Sequence, residues 1–157
     1  MKLILSAALC LSIQFSFAQK LDINSLETIL YSSVNAADAL LKKSKFGLAE
    51  KKSADGYHNY YYTSYEKPDS TVQLLRTLTI MDVYSGTDTT RFILYRTYNK
   101  KDQEELQLQL TVAGYVITKR SVNDFTYTKG DHRIVNRIAE KDAGIRKVTV
   151  YEFELGR

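Results

Sequence analysis

The side chains in this chain whose types could do chemistry are two histidines, a run of tyrosines and a few paired carboxylates. His58 and His132 are the nitrogen ligands on offer. A protein zinc site needs three or four ligands at workable spacing, and no HxxxH, CxxC or HExxH pattern accompanies them. Both lie near strand starts beside acids, Asp55 and Asp131. A metal or His-centred site would therefore require His58, His132 and those acids to converge across strands. Otherwise the two are turn-adjacent, solvent-exposed histidines, and no metal or cofactor is expected.

Nucleophilic and phosphate chemistry find no support. The single cysteine, Cys10, lies in the N-terminal apolar run, and there is no Gly-x-Ser-x-Gly elbow or glycine-rich phosphate loop. Two acids flanking a glycosidic bond could hydrolyse an envelope glycan. Glu152 and Glu154 are the pair to weigh, about 7 Å apart on one face of a strand. The basic residues Arg146 and Lys147 nearby favour a solvated, cross-paired face instead. Glu104 and Glu105 fall in the first turn of a predicted helix, where acids complement the dipole. No catalytic residue is assigned.

Tyr57, Tyr60, Tyr61, Tyr62 and Tyr65 are the strongest recognition candidates. Tyrosine offers a large apolar surface, a polar tip and little entropy loss on binding. Strand alternation puts Tyr57, Tyr61 and Tyr65 on one face and Tyr60 and Tyr62 on the other. Arg91 and Arg96, with Arg76, would add donors for an anionic or sugar ligand if their strands are neighbours. The expected binding residues are thus Tyr57, Tyr61, Tyr65, Arg91 and Arg96. The competing expectation is that one tyrosine set packs under a helix and the other covers the sheet.

The elements that must position these residues begin after a leader. Lys2, an apolar run from Leu3 to Phe15 and the Ser16-Phe17-Ala18 end form a secretory signal, with cleavage expected after Ala18. The run is shorter than the ~20 apolar residues a bilayer span needs. Leu9 before Cys10 disfavours lipid attachment. The mature chain would begin at Gln19 as a single cysteine-free domain, held by its core alone. The formal net charge is +4, one unit of it from Lys2, with basic and acidic residues interspersed. That pattern does not give the clustered basic face of a nucleic-acid binder.

Asn24 and Glu27 make a capping pattern for one helix, with apolar residues at helical spacing from Leu26 to Leu41 and a stop at Gly47. Strands are expected at Tyr57–Tyr65, about Thr71–Tyr84 and Arg91–Tyr98, with turns at 67–70 and 85–88. The unsegregated faces of Arg91–Tyr98 predict a central strand covered on both sides. Residues 102–113 carry conflicting signals. Asp102 and Glu105 favour a helix, whereas alternating Leu106, Leu108, Leu110 and Val112 favour a strand. A weak internal repeat tips the reading to a helix: Phe46-Gly47 and Gly114-Tyr115 each lead to apolar residues, a basic pair and a serine. Strands follow around Phe125–Tyr127, 132–139 and 145–155.

This order predicts an α+β fold, with two helices on one face of a mainly antiparallel twisted sheet. A pseudo-twofold α-β-β-β repeat is a further option. The function expected is a small exported, non-enzymatic binding or interaction protein of the bacterial envelope, periplasmic or secreted. Its partner would be a protein or a small envelope-derived ligand, with no nucleic acid and no stable membrane insertion. The alternatives are a hydrolase of envelope polymers and an inhibitor or immunity-type protein.

Overall fold

The computed structural model describes residues 20–66, 73–142, 144 and 147–156. The leader and the 67–70 turn expected from sequence, and Ile145 of the expected last strand, lie outside the described residues. The chain is α+β, and its described residues form three helices and one eight-stranded antiparallel sheet. The elements are α1 (Ile23–Tyr31), α2 (Val34–Lys43), β1 (Gly47–Ala54), β2 (Tyr57–Glu66), β3 (Gln73–Ser85) and β4 (Asp88–Thr97). They continue with α3 (Lys100–Val112), β5 (Val116–Arg120), β6 (Asp124–Lys129), β7 (His132–Asp142) and β8 (Lys147–Gly156).

The single N-terminal helix expected from periodicity is two. Asp22, not Asn24, caps α1 by accepting the Ser25 N–H. Ser32 and Ser33 then turn extended, and Ser33 caps α2 by accepting the Ala36 N–H. Serine competes for backbone hydrogen bonds, so a Ser-Ser pair ends one helix and starts another without disturbing the apolar spacing. Arg91 fixes the break by donating to the carbonyls of Ile29 and Ser32.

Residues 100–112 are helical, capped by Asn99 rather than Asp102. Leu106 and Leu110, four apart, are buried, while Leu108 and Val112 are exposed. Half of the apparent strand alternation therefore faces solvent. Each helical segment precedes four strands, not three, because Gly47–Ala54 and Val116–Arg120 are edge strands with every residue exposed.

The sheet order is β1-β2-β3-β4-β8-β7-β6-β5. Two four-stranded meanders thus meet along one seam, where β4 residues Phe92–Thr97 pair antiparallel with β8 residues Gly156–Tyr151. The helix–strand junctions of the two halves share details. Phe46 N–H bonds the Leu41 carbonyl at 2.9 Å, and Tyr115 N–H bonds the Leu110 carbonyl at 3.0 Å. The residue before each is left-handed, Lys45 at φ 62° and Gly114 at φ 86°. Each edge strand then carries a bulge, at Ala49 and at Thr118.

One face of the sheet holds the core. Tyr62, Leu78, Ile80, Ile93, Tyr95, Tyr127, Ile134, Phe153 and Leu155 form a single buried cluster with the apolar residues of all three helices. Arg76 enters this face through a buried ion pair, its Nη2 lying 2.7 Å from Asp102 Oδ2 of α3. Asn136 also lies there, fully buried. Its Oδ1 accepts from Gln103 and Gln107 of α3, and its Nδ2 donates to the Glu152 carbonyl.

Candidate functional site

All three described helices contribute to the core on one face, and among the described residues no helix lies on the opposite, open face, although Val135 and Glu152 there are buried. Strand register lines up its side chains in rows across the sheet. Asn59, Met81, Phe92, Gly156 and Arg133 form one row; Tyr61, Thr79, Leu94, Glu154 and Val135 the next; Thr63, Thr77, Arg96, Glu152 and Arg137 the third. At about 4.8 Å per strand, the first row spans roughly 19 Å from Asn59 to Arg133. A hollow of about 410 Å³ lies between Asn59, Tyr61, Met81, Phe92, Leu94 and Arg96. A second, of about 200 Å³, lies on the far side of Phe92, against Arg133, Val135 and Gly156. Glu154 borders both.

The floor is apolar and one flank is ionic. Arg96 Nε and Lys141 Nζ both approach Glu152 Oε1, at 2.7 and 2.8 Å, and Arg137 Nη1 lies 2.9 Å from Glu154 Oε2. Partial burial pushes the Glu152 carboxyl up, but its bonds from Lys141 and Arg96 outweigh that and hold it below the ordinary value. On the opposite flank Lys52 sits over the Tyr61 ring, 5.4 Å from its centroid. Asn59 Nδ2 donates to the Tyr61 hydroxyl at 3.2 Å. The Asn59 Oδ1 and Thr77 Oγ1 atoms are buried without a hydrogen-bond partner.

The residues expected to bind are only partly brought together. Tyr61 and Arg96 both line the larger hollow. Tyr57 and Tyr65 share the open face of β2 and are exposed, but each stands about 13 Å along the strand from Tyr61. Arg91 is on the opposite face. Its Nε and Nη2 bind Asp82 at 2.5 and 2.8 Å, while its Nη1 ties down the end of α1. Arg76 is likewise on the core side. The other tyrosine set divides: Tyr62 is buried in the core and Tyr60 packs against it.

Asn59, Met81, Phe92, Leu94 and Arg133 were not among the expected site residues. For Phe92 and Leu94 the one sequence signal is the apolar character of both faces of β4, which predicts cover on both sides; Asn59, Met81 and Arg133 carry none. The structure corrects this: β4 is central, but Phe92 and Leu94 are only half-buried, on a face that no helix of the described residues covers.

The histidines weighed for a metal or His-centred site are not brought together. His58 on β2 and His132 on β7 are four strands apart, roughly 19 Å. Neither is the solvent-exposed turn histidine expected, since both are half-buried. His58 stacks edge-on to Tyr84, and His132 Nδ1 lies 2.9 Å from the Tyr31 hydroxyl. Glu152 and Glu154 do share a face, but each is tied to basic side chains. Among the described residues, no three His, Cys, Asp or Glu side chains gather as a metal site. No family model matches the chain, and no curated protein or solved structure matches it.

Proposed function

We propose that this chain is an exported, non-enzymatic binding protein of the bacterial envelope, and that the open sheet face is its recognition surface. The observation that carries the reading is the placement of Met81, Phe92 and Leu94. Three large apolar side chains stand half-exposed in the middle of a sheet whose other face carries all three described helices. They are bordered by ion pairs, the arrangement of an apolar centre within a polar rim. Exposed apolar patches rimmed in this way mark interaction sites. Export is supported by the leader pattern of residues 1–18.

The matching helix caps, edge bulges and inward tyrosines support a second element of the proposal, a tandem of two related helix-plus-meander units. Tyr62 faces Leu48 of its edge strand as Tyr127 faces Ile117.

The test uses the mature chain, residues 19–157, as bait in a detergent extract of the producing cell envelope, against the variant Phe92→Asp/Leu94→Asp. A ligand or protein retained by the wild type and lost by the folded variant is expected. Retention by both, with circular dichroism showing the variant folded, would place recognition elsewhere. Mass analysis of the exported protein should show a chain starting at Gln19.

A further inference from the structure

We propose that the two hollows act as one trough for a single-chain anionic amphiphile, with an aliphatic chain over Met81, Phe92 and Val135 and a carboxylate or phosphate head on Arg133. The inference rests on the open face being the binding surface and adds the chemistry of the ligand.

Three observations carry it. The first is continuity. Phe92 stands between the hollows and Gly156 is its cross-strand neighbour. A Cβ at Gly156 would sit 3.1 and 3.2 Å from the Phe92 ring carbons. The absence of that atom lets the ring lie close over the β8 backbone; the two hollows share Phe92 and Glu154, and the smaller one ends against the buried Val135.

The second is shape and polarity. A span of roughly 19 Å across five strands suits an extended chain of laurate size better than a compact aromatic ligand. The larger hollow offers Met81, whose unbranched, polarisable side chain adapts to an aliphatic occupant.

The third is charge. On this face Arg96, Arg137 and Lys141 are all bound to Glu152 or Glu154. Arg133 is exposed beside the smaller hollow, in a row that continues to Thr128 of β6, and it makes no ion pair with a described residue. An exposed guanidinium whose donors no described side chain takes is a fork for a carboxylate or phosphate. Glu154, which borders both hollows, is already engaged by Arg137. It therefore opposes an anionic head less than a bare carboxylate would.

The experiment is displacement of a fluorescent polyene fatty acid from the mature protein, residues 19–157, by laurate, lauryl phosphate, dodecanol and dodecyltrimethylammonium, each below its micelle concentration. Laurate and lauryl phosphate should compete at least tenfold better than the neutral and cationic chains. Their relative strength assigns the source, free fatty acid or phospholipid-derived. Arg133→Met should remove that preference while dodecanol binding stays unchanged. Gly156→Ala, which pushes the Phe92 ring into the trough, should weaken every chain severalfold with the melting temperature held.

Equal competition by all head groups, or an unchanged preference in Arg133→Met, would overturn the proposal. If no amphiphile binds but the Phe92→Asp/Leu94→Asp variant still loses a captured partner, the ligand class is wrong and the recognition surface stands. If both experiments are negative, both readings fall.

Discussion

Arg76 breaks the apolar face of β3 in the sequence, and nothing local shows why it is tolerated. The reason lies in Asp102, whose Oδ2 accepts from Arg76 Nε and from Thr97 Oγ1 and whose Oδ1 faces Lys20 at 3.0 Å. Removing one partner leaves a buried charge unmatched, which costs about 3–5 kcal/mol. Asp102→Ala should lose that much in urea unfolding, and Arg76→Met/Asp102→Leu should recover most of it. Glu152 gives a pH signature. Its folded carboxyl is held down by Lys141 and Arg96, so its contribution is present above the ordinary carboxylate value and is lost as pH falls through the folded one. Glu152→Gln should be less stable by about 1.5–3 kcal/mol at neutral pH. The gap should close as acid protonates the wild type; a constant gap from pH 7 to 3 would refute the assignment. At the alkaline end, burial pushes Tyr62 up to about 12, with the Asp38 charge adding to it. Tyr62 stability is therefore complete below the ordinary value near 10 and drains away as pH rises towards 12. Tyr62→Phe should flatten that limb, read by phenolate absorbance alongside circular dichroism. Such residues are opaque in sequence because their partners are distant: Asn136 reads as a surface amide until α3 lies over it.

At the scale of elements, periodicity located the helical segments, whereas the expected caps Asn24 and Asp102 gave way to Asp22 and Asn99. The helical spacing from Leu26 to Leu41 is real, but the Ser32-Ser33 break leaves it undisturbed and so is silent in a pattern of apolar positions. The conflict at 102–113 was resolved by the similarity of the two helix–strand junctions, which coincide in their closing hydrogen bonds. Those junctions differ in one testable respect, since the same left-handed position holds Lys45 in one and Gly114 in the other. A side chain in that region is strained and glycine is not. Gly114→Ala should therefore destabilise by about 1 kcal/mol, read from thermal melts. The edge strands escaped notice because they lack the alternation of a half-buried strand. Leu48, Val116 and Ile117 are exposed, and basic residues and a bulge follow in each, features that discourage further strands from adding.

For the whole molecule, the class was legible and the open face was not. An α+β reading follows from strands grouped after single helical segments. Whether β4 is covered on one side or two depends on how many helices the chain has left to place, and Phe92 and Leu94 look the same in either case. Phe153 sits at the centre, paired with Tyr95 on one side and Asn136 on the other, and is fully buried. Phe153→Ala should cost about 3–5 kcal/mol. It should leave a single unfolding transition, because the seam it occupies couples the two meanders; two separated transitions would show them to be independent.

The position of β8 governs when this protein can fold. It follows every other described strand in chain order, yet it lies in the middle of the sheet, and both β4 and β7 need it as a neighbour. A chain synthesised in sequence order therefore leaves the β4 edge unpaired until β8 has been made. The two meanders can each close early, but they cannot join into one sheet before that strand arrives.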